Sequence, residues 1–140
     1  MNTNKVTILV KKAALEFDKI SNPIFDGYDL TASQYKVLKF LYAQPSRTAR
    51  VVDIEKYYSL THPSTIGLLD NLEKKGFITR VRNPNDARSR IISLTEKADN
   101  MQNELEGLGN TLENKITENL TETEKAQLVS LLQKLLKIEG

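Results

Sequence analysis

Apolar positions recur at intervals of three or four residues in six segments of the chain, and this spacing is typical of one helical face. The first predicted helix covers residues 5–20 and ends at Ser21-Asn22-Pro23. We expect residues 22–29 to form a loop, because proline interrupts helical hydrogen bonding. The other predicted helices run from Thr31 to Gln44, over about 50–57, from Thr61 to about Lys75, after Thr95 and after Thr121.

Start and stop signals support several of these helices. Thr61 can cap the helix that carries Pro63 in its first turn, where the missing N–H of proline costs nothing. Gly76 suits the left-handed position just beyond the same helix. Capping-box patterns open two further helices, at Thr31/Gln34 and Thr121/Glu124.

The periodicity changes after Gly76, where residues 77–82 and 89–94 are short stretches of alternating or β-branched side chains. Residues 83–87 lie between them and consist mostly of turn formers, so the pattern predicts a β-hairpin. A helix, a short helix, a tight turn at Ser59-Leu60, a further helix and a hairpin follow in that order. The fold is therefore predicted to be mainly α with a small β-hairpin wing, as a winged helix-turn-helix.

Composition narrows the class of protein. The 140 residues include no cysteine, which excludes a disulfide framework, a thiolate zinc site and a thiol nucleophile. His62 is the one histidine. We expect no metal and no cofactor. No apolar run approaches the roughly 18 residues that span a bilayer, and residues 1–5 lack the layout of a signal peptide. We therefore expect a cytoplasmic protein without a membrane partner.

The charge is distributed unevenly along the chain. Residues 31–94 carry 11 basic and 5 acidic side chains, whereas residues 95–140 carry 5 basic and 9 acidic ones. A basic central segment favours a polyanion as partner, although a chance excess of surface lysine is the alternative. No phosphate-binding glycine loop and no nucleophile–histidine pair is present, so we do not predict an enzyme.

Two groups of residues are candidates for contact with double-stranded DNA. In a helix-turn-helix, the second helix enters the major groove by its N-terminal end. Hydroxyl groups there can equally serve only to cap the helix. The candidates in this helix are Thr61, His62, Ser64, Thr65, Gly67 and Leu68.

The hairpin supplies the second group. Its four guanidinium groups suit phosphate oxygens or a narrow minor groove, and the alternative is a solvated basic loop. We expect Asp86 to be structural, either pairing with Arg88 or accepting from turn amides. The candidate DNA contacts in the hairpin are Arg80, Arg82, Arg88 and Arg90, with Asp86 supporting them.

The chain also resembles the multiple-antibiotic-resistance regulator (MarR) family over nearly its whole length. The resemblance rests on Leu30-Thr31-x-x-Gln34-Tyr35, Pro63-Ser64-Thr65-Ile66, Leu72-Glu73-Lys74-Lys75-Gly76-Phe77-Ile78-x-Arg80, Asp86-x-Arg88 and Leu94-Thr95. It implies a homodimer that binds a pseudo-palindromic operator, usually as a repressor, and that a small molecule releases. One departure is Gly67-Leu68, where many members carry an arginine.

The resemblance further implies that the first helix and the last two helices form a dimerisation region. The segments are then 1–30 for the N-terminal dimerisation helix and loop, 31–94 for the DNA-binding domain and 95–140 for the C-terminal dimerisation helices. The Leu105/Leu108/Leu112 stripe also needs a partner, which is either another subunit or this chain itself. The predicted interface residues are Val6, Leu9, Val10, Leu128, Leu131, Leu132 and Leu135.

Aromatic side chains between the dimerisation region and the DNA-binding domain are candidates for an effector site. Phe17, Tyr35 and Tyr42 would line a pocket for a possible small-molecule effector, and the alternative is that they belong to the core. A second alternative concerns the whole protein, since a winged helix also serves as a protein-interaction module that binds no operator.

Overall fold

The computed structural model describes residues 4–138, without the side chain of Ala87. Residues 1–3 and 139–140, which include parts of the predicted terminal segments and of the stretch compared with a signal peptide, lie outside the described residues. The elements are α1 Val6–Asp26, α2 Ala32–Ala43, β1 Thr48–Arg50, α3 Val51–Tyr58, α4 His62–Lys74, β2 Ile78–Asn83, β3 Asp86–Leu94, α5 Glu96–Asn100, α6 Gln102–Ile116 and α7 Glu122–Leu136.

The described residues group into two compact units. Unit 1 comprises the described residues of the ranges Met1–Ile20 and Leu108–Gly140, and unit 2 comprises Ser21–Gly107. The units divide within α1 and α6, and not at the ends of the predicted segments 1–30, 31–94 and 95–140. None of the helices between residues 4 and 138 combines the length and the apolar character that a membrane span requires.

The loop predicted for residues 22–29 is wrong, because α1 continues through Pro23 to Asp26. Ser21 and Phe25 lie one turn apart on this helix and are both buried, with exposed fractions of 0% and 2%. Burial of Phe25 contributes an amount comparable to the cost of about 3 kcal/mol that proline imposes in a helix interior. Packing in unit 2 therefore offsets the local signal for a break.

The caps and the hairpin are confirmed. Thr31 and Gln34 form a capping box, as do Thr121 and Glu124. Gly76 adopts φ +82°, so it takes the left-handed conformation that ends α4. The hairpin of β2 and β3 is longer than predicted, because β3 begins at Asp86.

A third strand, β1, was not predicted. It pairs antiparallel with β3, in the register Thr48↔Ser93 and Arg50↔Ile91, and gives the sheet order β1-β3-β2. Three residues are too few to show the alternation that identifies a strand. The core of unit 2 packs between this sheet and the helices, and its fully buried side chains include Leu38, Leu41, Ile54, Leu69, Leu72, Phe77, Ile78 and Ile92.

The leucine stripe of α6 is buried within the single chain. Leu105, Leu108 and Leu112 have exposed fractions of 1%, 8% and 4%. Of the two alternatives, packing inside this chain is therefore correct, and these residues are not available to another subunit. In contrast, no residue of α7 is buried.

Candidate nucleic-acid interface

The N-terminus of α4 is held by its own hydroxyl groups. Thr61 Oγ1 accepts a hydrogen bond from the backbone N–H of Ser64 at 3.2 Å and donates to Ser64 Oγ at 2.9 Å. Both side chains are nevertheless exposed. The capping role is thus real, and it leaves these hydroxyls at the surface where a second partner can reach them.

His62 stands on the first turn of α4 and contacts α3. Its Nδ1 lies 2.6 Å from Oε1 of Glu55, which fixes the orientation of the ring. The His62 side chain remains 68% exposed, whereas that of Glu55 is 19% exposed. The imidazole is therefore both positioned and accessible at the junction of the two helices.

Thr65 is the one predicted contact in α4 whose side chain the structure withdraws from the surface. Its exposed fraction is 0%, and its Oγ1 donates to the carbonyl oxygen of Thr61 at 2.9 Å. Thr65, Leu69 and Leu72 share the buried face of α4. The prediction that the Thr65 side chain contacts DNA is therefore wrong. The helical spacing of Thr65 with Leu69 and Leu72 is the sequence signal that places Thr65 in the core.

Gly67 and Leu68 lie one turn further along α4. Gly67 is exposed, and a Cβ atom built there meets nothing within 4 Å. Packing inside this chain therefore does not require a glycine at that position. Leu68 is half-buried and lines a cleft of about 110 Å³ together with Lys36 and Tyr58.

Side-chain hydrogen bonds shape the tip of the wing. Asp86 Oδ1 accepts from the backbone N–H of Arg88 at 3.0 Å, which confirms that Asp86 bonds a turn amide. Asn83 Oδ1 accepts from the backbone N–H of Asn85, and Asn83 Nδ2 donates to Ser89 Oγ, both at 3.0 Å. These bonds hold the turn where the β2–β3 register shifts after Arg82.

The guanidinium groups of the wing fall into two classes. Arg82, Arg88 and Arg90 are exposed, and none of them forms an ion pair with the side chains described between residues 4 and 138. Arg82 and Arg90 are register partners across the hairpin, so two of these charges lie side by side. Three cations without a counter-ion on a thin projection suit a polyanionic partner.

Arg80 belongs to the second class because it contacts carboxylates of α4. Its Nη2 lies 2.7 Å from Asp70 Oδ1 and 3.0 Å from Glu73 Oε1, and its side chain is only 20% exposed. The hydrogen bond from Arg80 lowers the pKa of Glu73, and the same bond raises the pKa of Arg80. The charge of Arg80 is therefore largely compensated within unit 2.

One open groove joins the parts of this surface. It has a volume of about 480 Å³ and lies between the start of α3, the first half of α4 and the wing. Ile66, predicted to face inward, is half-buried and lines this groove. Val51, Glu55 and Ser89 also line this groove. They were not predicted as site residues, because only the packing of α3, α4 and the wing brings them together. Of the predicted residues, it brings together His62, Arg80, Arg88 and Arg90.

The start of α3 carries a further ion pair. Asp53 accepts from Nε, Nη2 and the backbone N–H of Arg50 at 3.2, 3.0 and 3.1 Å. Hydrogen bonding by Arg50 lowers the pKa of Asp53. This capping interaction fixes the point at which β1 passes into α3, next to the groove.

The two tyrosines predicted to line an effector pocket lie in the core of unit 2. The Tyr35 hydroxyl donates to the carbonyl oxygen of Leu105 at 2.9 Å, and the Tyr42 hydroxyl donates to that of Ala98. Burial raises the pKa of Tyr42 to about 12. Both are therefore core residues, as the alternative proposed, while Phe17 is half-buried in the part of α1 that belongs to unit 1.

The apolar residues predicted for the dimer interface are all exposed in the single chain. Their exposed fractions range from 37% for Leu132 to 64% for Leu131. All belong to unit 1. The set is Val6, Leu9, Val10, Leu128, Leu131, Leu132 and Leu135.

Comparisons with known proteins agree with this arrangement. The MarR family model matches residues 30–89. The chain is 33% identical over 120 residues to the multiple antibiotic resistance protein MarR of Escherichia coli strain K12, which covers 85% of this chain and 82% of that protein. A crystal structure of a MarR mutant from E. coli in complex with operator DNA matches with a TM-score of 0.83 and 30% identity, over 91% of both chains. The S. aureus MepR–DNA complex matches with a TM-score of 0.87 and 26% identity, over 95% of this chain and 97% of that one.

Proposed function

Since the chain belongs to the MarR family of DNA-binding transcriptional regulators, we propose that it is a repressor that binds a pseudo-palindromic operator as a homodimer. A small-molecule ligand releases it from the DNA. The observation that carries the proposal is the groove between α4 and the wing, because it places His62 and the arginines Arg88 and Arg90 on one open surface.

In this proposal α4 enters the major groove by its N-terminal end. The major groove is about 12 Å wide and admits a helix. The exposed side chains of Thr61, His62 and Ser64 face base edges or phosphates, and Gly67 allows the DNA to approach the helix backbone. Thr65 is left out of the contact set because it is buried.

The wing contacts the DNA on one side of α4. Arg82, Arg88 and Arg90 neutralise phosphates or enter the minor groove, and the counterions that they displace favour binding at low salt. Asp86 supports this contact indirectly, through its bond to the backbone N–H of Arg88.

Dimerisation follows from the exposed apolar residues of unit 1. A helix such as α7, with leucines exposed along one face and no buried residue, is more stable when a partner covers that face. Two copies then place their α4 helices, which we call the recognition helices, roughly 34 Å apart, and this distance is one turn of DNA. This spacing accounts for the inverted symmetry of the proposed operator.

Release by a ligand requires that the ligand bind one conformation of the dimer better than the other. Tyr35 and Tyr42 are not proposed as its contacts, because their hydroxyls bond backbone carbonyls in the core. A regulator of this kind acts on DNA in the cytoplasm and catalyses no reaction.

The proposal is tested by electrophoretic mobility of the promoter fragment next to the gene of this protein, with an unrelated duplex of equal length as control. We expect preferential binding of the promoter and a steep loss of affinity as salt rises. Binding of neither duplex at low salt would contradict the proposal and favour a winged helix that binds an acidic protein.

A further inference from the structure

Arg80 connects the base of the wing to the recognition helix. It lies on β2, opposite Ile92 of β3, and its guanidinium group bridges Asp70 and Glu73 in the C-terminal half of α4. We call these three residues the Arg80 clamp. No other ion pair between α4 and the hairpin is found among the side chains described in residues 4–138.

The position of the clamp along the hairpin matters. The register places Arg80 nearer the base than Arg82 and Arg90, whereas Asp86 and Arg88 form the tip. A small rotation at the base of a thin hairpin moves its tip by a larger distance. The clamp is therefore placed where it controls how the exposed arginines are held relative to α4.

Contact of Arg80 with DNA would have an electrostatic cost. The guanidinium group would leave two carboxylates at 2.7 and 3.0 Å and expose them near the phosphates. Like charges so close repel. The same side chain cannot satisfy both carboxylates and bind a phosphate with its full charge.

We propose that Arg80 is a positioning residue, which with Asp70 and Glu73 fixes the angle of the wing against α4 and raises operator affinity without contacting a phosphate. This inference rests on the proposed DNA binding. It reassigns Arg80 from the candidate contacts, and it gives Asp70 and Glu73 a role in DNA binding that their charge alone would oppose.

The decisive variant is Asp70→Asn combined with Glu73→Gln. It removes two negative charges and frees Arg80, so a direct contact predicts tighter binding. The clamp predicts binding weaker by roughly two- to fivefold, a modest factor because the ion pairs are partly exposed. Glu104→Gln with Glu113→Gln on α6 is the control, since it changes the net charge equally and touches no clamp residue. Affinity is measured on a duplex that the wild type selects from a random pool, and on an unrelated duplex.

The salt dependence of Arg80→Gln supplies a second, independent readout. If Arg80 binds a phosphate, the slope of log affinity against log salt falls by about one for each protomer. If it only positions the wing, the affinity falls and the slope is unchanged. This variant stays informative if the double variant is unstable.

The geometry itself can be measured because the chain has no cysteine. Spin labels at Asn71→Cys on α4 and Asn85→Cys at the wing tip report the distance between these elements. We expect the distance distribution to broaden in both clamp variants and to stay narrow in the Glu104/Glu113 control. Tighter binding by the double variant, or an unchanged distribution, would overturn the clamp while leaving DNA binding by the wild type intact. Failure of the wild type to bind any duplex would overturn both proposals.

Discussion

The carboxylate of Asp86 accepts a hydrogen bond from the backbone N–H of Arg88 at 3.0 Å, at the tip of the wing. Through this bond an acidic side chain holds the backbone of an arginine that we propose to contact DNA. We expect Asp86→Ala to weaken DNA binding by roughly two- to tenfold, the net contribution of one hydrogen bond, although it removes a negative charge. Asp86→Asn keeps the accepting Oδ1 and should bind like the wild type. Fluorescence anisotropy on a labelled duplex measures both, and tighter binding by Asp86→Ala would show that charge alone governs the tip.

Arg88 itself is expected to neutralise a phosphate. Arg88→Ala should weaken binding to all sequences by a similar factor and reduce the salt slope by about one for each protomer. Titrations at several salt concentrations measure the slope. Lys134→Ala removes the same charge from α7, in unit 1, and should leave the slope unchanged. An Arg88→Ala slope equal to that of the wild type would remove the wing from the interface.

Gly67 allows stability and DNA binding to be separated. A Cβ atom at Gly67 has open space, so Gly67→Ala should stabilise the protein by about 1 kcal/mol through helix propensity. If DNA approaches the α4 backbone there, the same methyl group should weaken binding. Thermal unfolding and anisotropy measure the two effects.

Gly107 provides the matched control, because it is also helical and a Cβ atom there also meets nothing within 4 Å. Gly107→Ala should raise stability similarly and leave the affinity for DNA unchanged. Equal affinities for the two alanine variants would mean that nothing approaches Gly67 closely.

Leu131 tests the dimer. Its side chain is 64% exposed in the single chain, and a carboxylate placed inside an apolar interface is strongly unfavourable. Leu131→Glu should therefore sediment as a monomer at concentrations where the wild type is a dimer. Ser130→Glu adds the same charge next to Leu131 but outside the predicted leucine set, and should remain dimeric. A wild type that sediments as a monomer would contradict the predicted interface.

The raised pKa of Tyr42 predicts a loss of stability at high pH. Burial raises the pKa from 10.0 to about 12, so the folded state keeps the phenol neutral while the unfolded state ionises. The contribution to stability is complete below pH 10.0 and is lost as the pH rises through about 12. Urea unfolding at several alkaline pH values should show this loss in the wild type, with a smaller loss in Tyr42→Phe. An equal decline in both proteins would locate the effect in other groups.

The fold was predictable where local signals and packing agree. The hydroxyl caps of α2 and α4 and the glycine at position 76 meet local requirements of the backbone at helix ends. Such requirements can be recognised from the residue types alone. Pro23 was misleading because burial of Phe25, a tertiary effect, offsets its local cost. Strand β1 exists only because β3 lies beside it, and no three-residue pattern indicates that pairing.

The candidate site was predictable in its elements and less so in its side chains. The exposure of most wing arginines could be predicted, because a short hairpin cannot bury four arginine side chains. Whether an arginine is compensated depends on what faces it, and Arg80 faces Asp70 and Glu73 only because β2 packs beside α4. Thr65 was distinguishable from Ser64 by its helical spacing with Leu69, although both are hydroxyl residues at the same helix end.

The central claim is that two copies of the surface formed by α4 and the wing read one duplex together. Selection of bound DNA from a random pool, followed by sequencing, tests it most directly. We predict enrichment of an inverted repeat whose half-site centres are separated by about one helical turn, roughly 34 Å. Enrichment of a single, unpaired half-site, or of no sequence at all, would contradict the account.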